Sequence, residues 1–139
     1  MTSSRDGYHS VTPRVVVSDV DGLVGFLRTV FDATGDVVAG RPVELLIGDS
    51  LVMISEAGER APFPAFLYVY VDDPDGRYER ALAAGATSIE APFDTPSGDR
   101  RAMVTDPFGN IFQIARALVT ECPLPTARAS VPASSRPAK

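Results

Sequence analysis

The chain has one cysteine, one histidine, no tryptophan and a single lysine beside twelve arginines in 139 residues. Each scarcity excludes something. Cys122 has no partner cysteine, so no disulfide framework holds the fold, which fits a reducing compartment. Cys122 also lacks a neighbouring histidine, so it is not read as a nucleophile. No Ser-His-Asp set, P-loop or dinucleotide fingerprint is present. No apolar run approaches the ~18 residues of a membrane span. The segment Met1-Thr2-Ser3-Ser4-Arg5-Asp6 has no hydrophobic signal core, which points away from export and towards the cytoplasm. The basic residues form no patch or stripe and the net charge is −5, so nucleic acid is not expected as a partner.

What is present is a globular composition. Hydrophobic residues make up 45% and charged residues 22% of the chain. A chain of this length is one domain by the usual prior, and about two-thirds of its unfolded surface can be buried. Arginine in place of lysine, with abundant alanine, glycine, proline and aspartate, is in keeping with a high-GC bacterial genome.

The organising stretch is Val17-Ser18-Asp19-Val20-Asp21-Gly22, which returns as Val71-Asp72-Asp73-Pro74-Asp75-Gly76. Both copies follow a β-branched or aromatic run and precede an amphipathic segment, so each reads as strand, corner, helix. Asp19 and Asp73 fall at the N-cap, where a carboxylate accepts orphan backbone N–H groups. Pro74 falls at N1, and Asp21 and Asp75 lie in the first turn at the positive end of the helix dipole. A repeat of this length means one supersecondary unit used twice.

Around these corners the spacing predicts a strand over 11–17 and a helix with Val20, Leu23, Val24, Leu27, Val30 and Phe31 on one face. Three short strands follow, at 37–39, 43–47 and 51–55. The second unit reads as a strand at 65–71, a helix at 74–84, a short strand at 87–90, a turn-rich loop at 92–99 and a hairpin of 101–105 with 111–115. The fold class is therefore α+β, with two βαβββ modules at 11–56 and 65–117 joined by a linker at 57–64. Residues 1–10 read as a flexible arm, and 118–139, rich in proline, serine and alanine, as a flexible tail.

The two βαβββ modules, their V-x-D-x-D-G corners, Ala83-Ala84-Gly85-Ala86-Thr87 and Asp106-Pro107-Phe108-Gly109-Asn110 together resemble the vicinal-oxygen-chelate superfamily, also called the glyoxalase/bleomycin-resistance/dioxygenase family. Tyr8-His9-Ser10-Val11-Thr12-Pro13 looks most like its bleomycin-resistance-like branch. The resemblance covers about residues 8–116. It implies two curved four-stranded sheets closing on a cleft, in a homodimer, with metal ligands in the cleft of the metal-dependent members. Those ligand positions correspond here to Thr12, Met53, Phe66 and Gln113. A divalent ion wants imidazole, carboxylate or thiolate, so the reading is that no metal and no other cofactor is used. His9 lies on the opposite parity from Thr12 and is not read as a catalytic base.

Strand alternation extends each ligand position into a lining. It places Arg14, Val16, Leu51, Met53, Phe66, Tyr68, Tyr70, Ile111 and Gln113 on the cleft face, with Phe63 on a loop able to close over them. The opposite face carries Val15, Val17, Val52, Ile54, Leu67, Val69, Val71, Phe112 and Ile114, suited to packing under the helices. Phenols, a phenyl ring, a thioether and a guanidinium make a pocket for a flat, partly polar molecule. The first functional reading is a binding protein that sequesters a planar or aromatic natural product, as the bleomycin-resistance-like members do. An acidic chain would also attract a cationic drug. The second is an enzyme of the same superfamily, a lyase, isomerase or dioxygenase, for which Glu44 and Tyr70 are the available acid–base groups. The third is a small dimeric domain whose cleft serves a partner protein. Arg100-Arg101 reads as a solvated loop edge and Asp106 as a turn residue.

Overall fold

Each corner builds its helix through one carboxylate. In the computed structural model, which describes residues 7–118, Asp19 caps helix α1 (Val20–Phe31) and its side chain accepts the Gly22 N–H at 2.9 Å. Asp73 caps α2 (Pro74–Ala83) in the same way, with the Gly76 N–H at 3.0 Å and Pro74 in the first turn. The geometry explains the glycine of the repeated motif. A Cβ on Gly22 would stand 2.5 Å from the Asp19 carboxylate and 2.8 Å from the Phe108 ring, and one on Gly76 would strike Asp73 likewise. With the carboxylate in this position, a side chain on the third helical residue would collide with it.

The far end of α1 is held from α2. Asp32 closes α1 in the left-handed region, at φ 56°, and its N–H reaches the Arg28 carbonyl at 3.1 Å. Its carboxylate meets Arg77 at 2.7 Å and Arg80 at 3.3 Å, and Arg77 also donates to the Val30 carbonyl at 3.0 Å. The Arg77 hydrogen bond, ahead of the charges of Arg77 and Arg80, holds the exposed Asp32 carboxyl below its ordinary value.

The strands are β1 (Arg14–Val17), β2 (Val43–Ile47), β3 (Ser50–Glu56), β4 (Phe66–Tyr70), β5 (Thr87–Asp94), β6 (Asp99–Thr105) and β7 (Ile111–Ala117). They form a three-stranded sheet in the order β1-β3-β2 and a four-stranded sheet in the order β4-β7-β6-β5. In each sheet the strand before the helix pairs in parallel with the last strand of its module, β1 with β3 and β4 with β7. The last two strands of each module are antiparallel neighbours.

Three expectations about the strands change. The first strand begins at Arg14 rather than Val11. Residues 37–39 are not a strand, so the first module is βαββ, and an isolated bridge between Thr34 and Leu46 stands beside β2 instead. Val37 and Val38 are both about half exposed, at 49%, so pairing there would bury no apolar face. In the second module β5 continues through Pro92 to Asp94, as an edge strand with register shifts allows, and the loop shrinks to a turn closed by the Thr95 N–H on the Asp99 carbonyl at 2.7 Å.

One core serves both modules. The predicted inward faces of the strands and the predicted stripe of α1 meet in it, and Val17, Leu23, Val30, Ile54, Phe112 and Ile114 are at most 2% exposed. Phe112 of β7 lies between two rings of α1, with centroids 5.8 Å from Phe26 and 5.4 Å from Phe31. The two ends of the Asp106–Asn110 turn are also buried, while Pro107 and Gly109 at its tip are exposed. Asp106 accepts the Phe108 and Asn110 N–H groups and the Asn110 side-chain amide at 2.8–2.9 Å. Asn110 in turn accepts the Ala65 N–H at 2.8 Å, tying the last hairpin to the start of β4.

Ordinarily a helical Gly→Ala change stabilises by roughly 0.5–1 kcal/mol. At Gly22 the new methyl displaces the cap and crowds Phe108, so G22A should instead destabilise by ~1 kcal/mol, about the worth of an N-cap. Urea unfolding of the variant beside the parent chain measures it.

Candidate functional site

Because Phe112 and Ile114 point into the core, their neighbours on β7 point out, and the register carries that face across the sheet. Phe66 lies beside Ile111, Tyr68 beside Gln113, Gln113 beside Met103, and Met103 beside Glu90. The predicted cleft residues of the second module, Phe66, Tyr68, Tyr70, Ile111 and Gln113, thus share one open face. On the first sheet Arg14 lies beside Met53, which lies beside Glu44, and the Arg14 Nε donates to the Ser55 hydroxyl at 2.9 Å. Val16 and Leu51 are half-buried on that same side.

Phe66 and Tyr70 are the most exposed aromatic side chains of the second sheet, at 65% and 62%. Phe63 is as open, but its backbone is bridged to Val16, N–H to carbonyl at 2.9 Å. The segment expected to close over the site is therefore tied to β1 at that point.

A groove of about 470 Å³ runs along the free edge of β4. Leu67, Tyr68, Val69 and Tyr70 form one wall. Pro13, Val52 and the β2–β3 turn from Ile47 to Ser50 form the other. It brings in Tyr68 and Tyr70 but not the other predicted lining residues. Arg14, Val16, Leu51 and Met53 remain on the first sheet's open side, and Phe66, Ile111 and Gln113 on the second sheet's.

The second sheet also carries polar groups that the sequence reading missed. Tyr68 and Tyr70 stand with ring centroids 5.3 Å apart, tilted by 57°. Both hydroxyls donate to the same oxygen of Asp99, Tyr68 in the shorter bond and Tyr70 at 3.2 Å. Next along β6, Arg101 pairs with Glu90 at 3.2 Å and lies over the Phe93 ring, 5.5 Å from its centroid. Arg101 is thus a strand residue of the open face, not a solvated loop edge. Arg100 faces the other way and grips Asp75 at 2.9 Å and Asp94 at 3.1 Å, fastening the first turn of α2 to the sheet rim. The Arg100 hydrogen bond holds the Asp75 carboxyl below its ordinary value. The signal for Asp99 and Arg101 lay in the alternation with buried Ala102 and Val104, which places them with Met103 and Gln113.

The side chains at the four positions that the resemblance assigns to metal ligands do not suit a divalent ion. Met53 and Gln113 are half-buried, Phe66 projects outward, and Thr12 precedes β1. A thioether, an amide, a phenyl ring and a hydroxyl offer no charge to offset dehydration of a divalent ion. Among the described residues, no three His, Cys, Asp or Glu side chains are grouped to hold one.

Partial burial, then the Asp99 hydrogen bond and charge, push the Tyr68 phenol up from 10.0 to about 12. Folding favours its neutral form, so this contribution to stability is complete below the ordinary phenol value and is lost as pH rises through about 12. A phenolate absorbance titration should show one tyrosine ionising late, and Tyr68→Phe should remove that step.

Comparison with known proteins agrees with this architecture. A profile of the Glyoxalase/Bleomycin resistance protein/Dioxygenase superfamily matches residues 8–114. An uncharacterized protein of Mycobacterium tuberculosis is 30% identical over 125 residues, spanning 77% of this chain and 74% of that one. The crystal structure of TioX from Micromonospora sp. ML1 superposes with a TM-score of 0.62 at 27% identity, covering 78% of this chain and all (100%) of TioX. A bleomycin-binding protein in complex with bleomycin shares the fold at a TM-score of 0.57 and 19% identity, over 78% of this chain and 98% of that one. Among the described residues no helix is long and apolar enough to cross a membrane. The mixed sheets and helices, the doubled corner and the matched profile carry one conclusion: the chain belongs to the glyoxalase/bleomycin resistance protein/dioxygenase superfamily.

Proposed function

We propose that the protein binds a planar or aromatic small molecule without a resident metal or other cofactor and withholds it from its target, a resistance function exercised in a bacterial cytoplasm. The observation that carries this reading is the set of aromatic side chains left open: Tyr68 and Tyr70 in the groove, Phe66 on the same face of β4, and Phe63 on the segment bridged to β1. Phe63, Phe66, Tyr68 and Tyr70 are all at least 40% exposed, although a core was available to them. A contiguous apolar patch of this kind marks a surface that something covers. Arg14, Val16, Leu51, Met53, Ile111 and Gln113 complete the binding surface on the two open faces. A superfamily member whose structure holds bleomycin lends the reading support. The enzyme alternative is weaker at the phenols. A general base needs a lowered pKa, and Tyr68, beside the Tyr70 that this alternative would use together with Glu44, is pushed up to about 12 and is unsuited to that role.

A second copy of the chain would complete the site. β4 is an edge strand, and the groove beside it is open. An unpaired edge flanked by exposed rings is a surface for a homodimer. Light scattering at micromolar concentration should give twice the chain mass, and a monomer there would refute the dimer.

Burying a few hundred Å² of ring at ~25 cal/mol per Å² yields several kcal/mol before the costs of association. Tyr70→Ala should weaken binding of an aromatic antibiotic by ~1–3 kcal/mol while the chain stays folded. Calorimetry measures that loss, and mass spectrometry of the recovered compound should return it unaltered. A product formed at catalytic turnover would favour the enzyme.

A further inference from the structure

The open face of the second sheet carries one carboxylate whose surroundings are unusual for a solvated acid. Both phenol hydroxyls of the aromatic pair are spent on one oxygen of Asp99. Among the described residues the other oxygen, Oδ1, has no hydrogen-bond donor, while the Asp99 N–H is taken by the Thr95 hydroxyl at 3.1 Å. With their hydroxyls turned to Asp99, Tyr68 and Tyr70 present ring faces to whatever enters. Ring faces are negative in their quadrupole. The corner therefore combines π-faces with an acceptor that still has capacity, and both favour positive charge.

The cation on the same face does not offset this. The Arg101 guanidinium is committed to Glu90 on one side and to the Phe93 ring on another, and its side chain is only 22% exposed. The facing charged groups are Asp99, Glu90 and Arg101, two negative and one positive. Asp49, on the β2–β3 turn across the groove, adds a further acid. An anionic aromatic would find the Arg101 Nε–H, buried and without an acceptor among the described residues, and the Gln113 amide, but it would meet Asp99 and Glu90 beside them. A neutral one would find the rings but leave Asp99 Oδ1 to water.

We infer that Asp99 sets the charge preference of the site, so that the ligand class is a planar aromatic carrying a protonated nitrogen, whose N–H meets Asp99 Oδ1 while its rings pack against the tilted Tyr68–Tyr70 pair. This rests on the aromatic-binding reading given above and adds a specificity-determining residue to it. A charge-assisted hydrogen bond is about twice as strong as a neutral one, enough at a partly solvated position for about a tenfold preference.

Three probes of similar ring size separate the possibilities: proflavine as the cation, anthracenemethanol as the neutral ring and anthracenecarboxylate as the anion. Fluorescence titration of the full chain should rank them in that order, with proflavine about tenfold tighter than anthracenemethanol and the gap narrowing as salt is added. In Asp99→Asn the ratio of the two affinities should fall severalfold towards one, the expected loss of a single charge-assisted bond. The wild-type ranking decides the matter even if that variant fails to fold. Equal affinity for proflavine and anthracenemethanol in the parent chain, or a ratio unmoved by Asp99→Asn, overturns the charge preference and leaves aromatic binding standing. Binding of none of the three removes both.

Discussion

The insertion of the Phe112 ring between Phe26 and Phe31 makes one body out of two repeats. Phe112 belongs to the last strand and both its neighbours to the first helix, so the contact joins the ends of the folded segment through its centre. Once Phe112 points inward, alternation obliges Ile111 and Gln113 to point outward, and through the sheet register Phe66, Tyr68 and Met103 with them. The open aromatic face is thus the reverse side of the core. A substitution that tilts Phe112 would alter both at once.

Several charges of the described residues hold structure together, and the arginine fork is used most fully at Arg100. Arg100 reaches two carboxylates, Asp75 and Asp94, from one guanidinium. Arg77 meets Asp32 and the Val30 carbonyl together, capping the end of the opposite helix. Arg28 donates to the Gly35 carbonyl at 2.6 Å where the chain leaves α1. At Arg100, where three nitrogens are used, a lysine ammonium offers a point charge and could not make the same paired, planar contacts. On the open face one oxygen of Asp99 and the Arg101 Nε stay without a partner among the described residues.

Much of this was legible in the sequence, for reasons specific to certain residues. Asp19 and Asp73 announced both helices because few other residues satisfy an N-terminus so well. The cleft parity followed from runs such as Phe66 to Tyr70, where one face is apolar and branched and the other aromatic. The failures are equally specific. Val37 and Val38 look like a strand, but a strand needs a buried side, and Gly35 sits so close to β2 that a Cβ there would collide with the Glu44 carbonyl. Pro92 looked like a loop because proline cannot donate to a ladder, yet on an edge strand that donor is not required. Asp99 was hidden by the same error, since a residue assigned to a loop has no face. The groove beside β4 depends on how the two sheets approach one another, which alternation within a strand does not encode. The tail beyond Leu118 and the first six residues, with Cys122 among them, lie outside the described residues.

The order of synthesis meets an obstacle in the bond between Asn110 and the Ala65 N–H, which spans 45 residues of chain. β4 leaves the ribosome early, with no parallel partner until β7 follows it. Phe26 and Phe31 wait still longer for Phe112. Loop closure over such distances comes late, because its entropy is lost before the contact returns anything. Until the final strand emerges, the nascent chain holds a capped but uncovered helix and an unpaired aromatic strand. The whole fold is then committed in one late event, and a chain cut short before Phe112 would expose to chaperones and proteases the rings that the finished protein divides between its core and its open face.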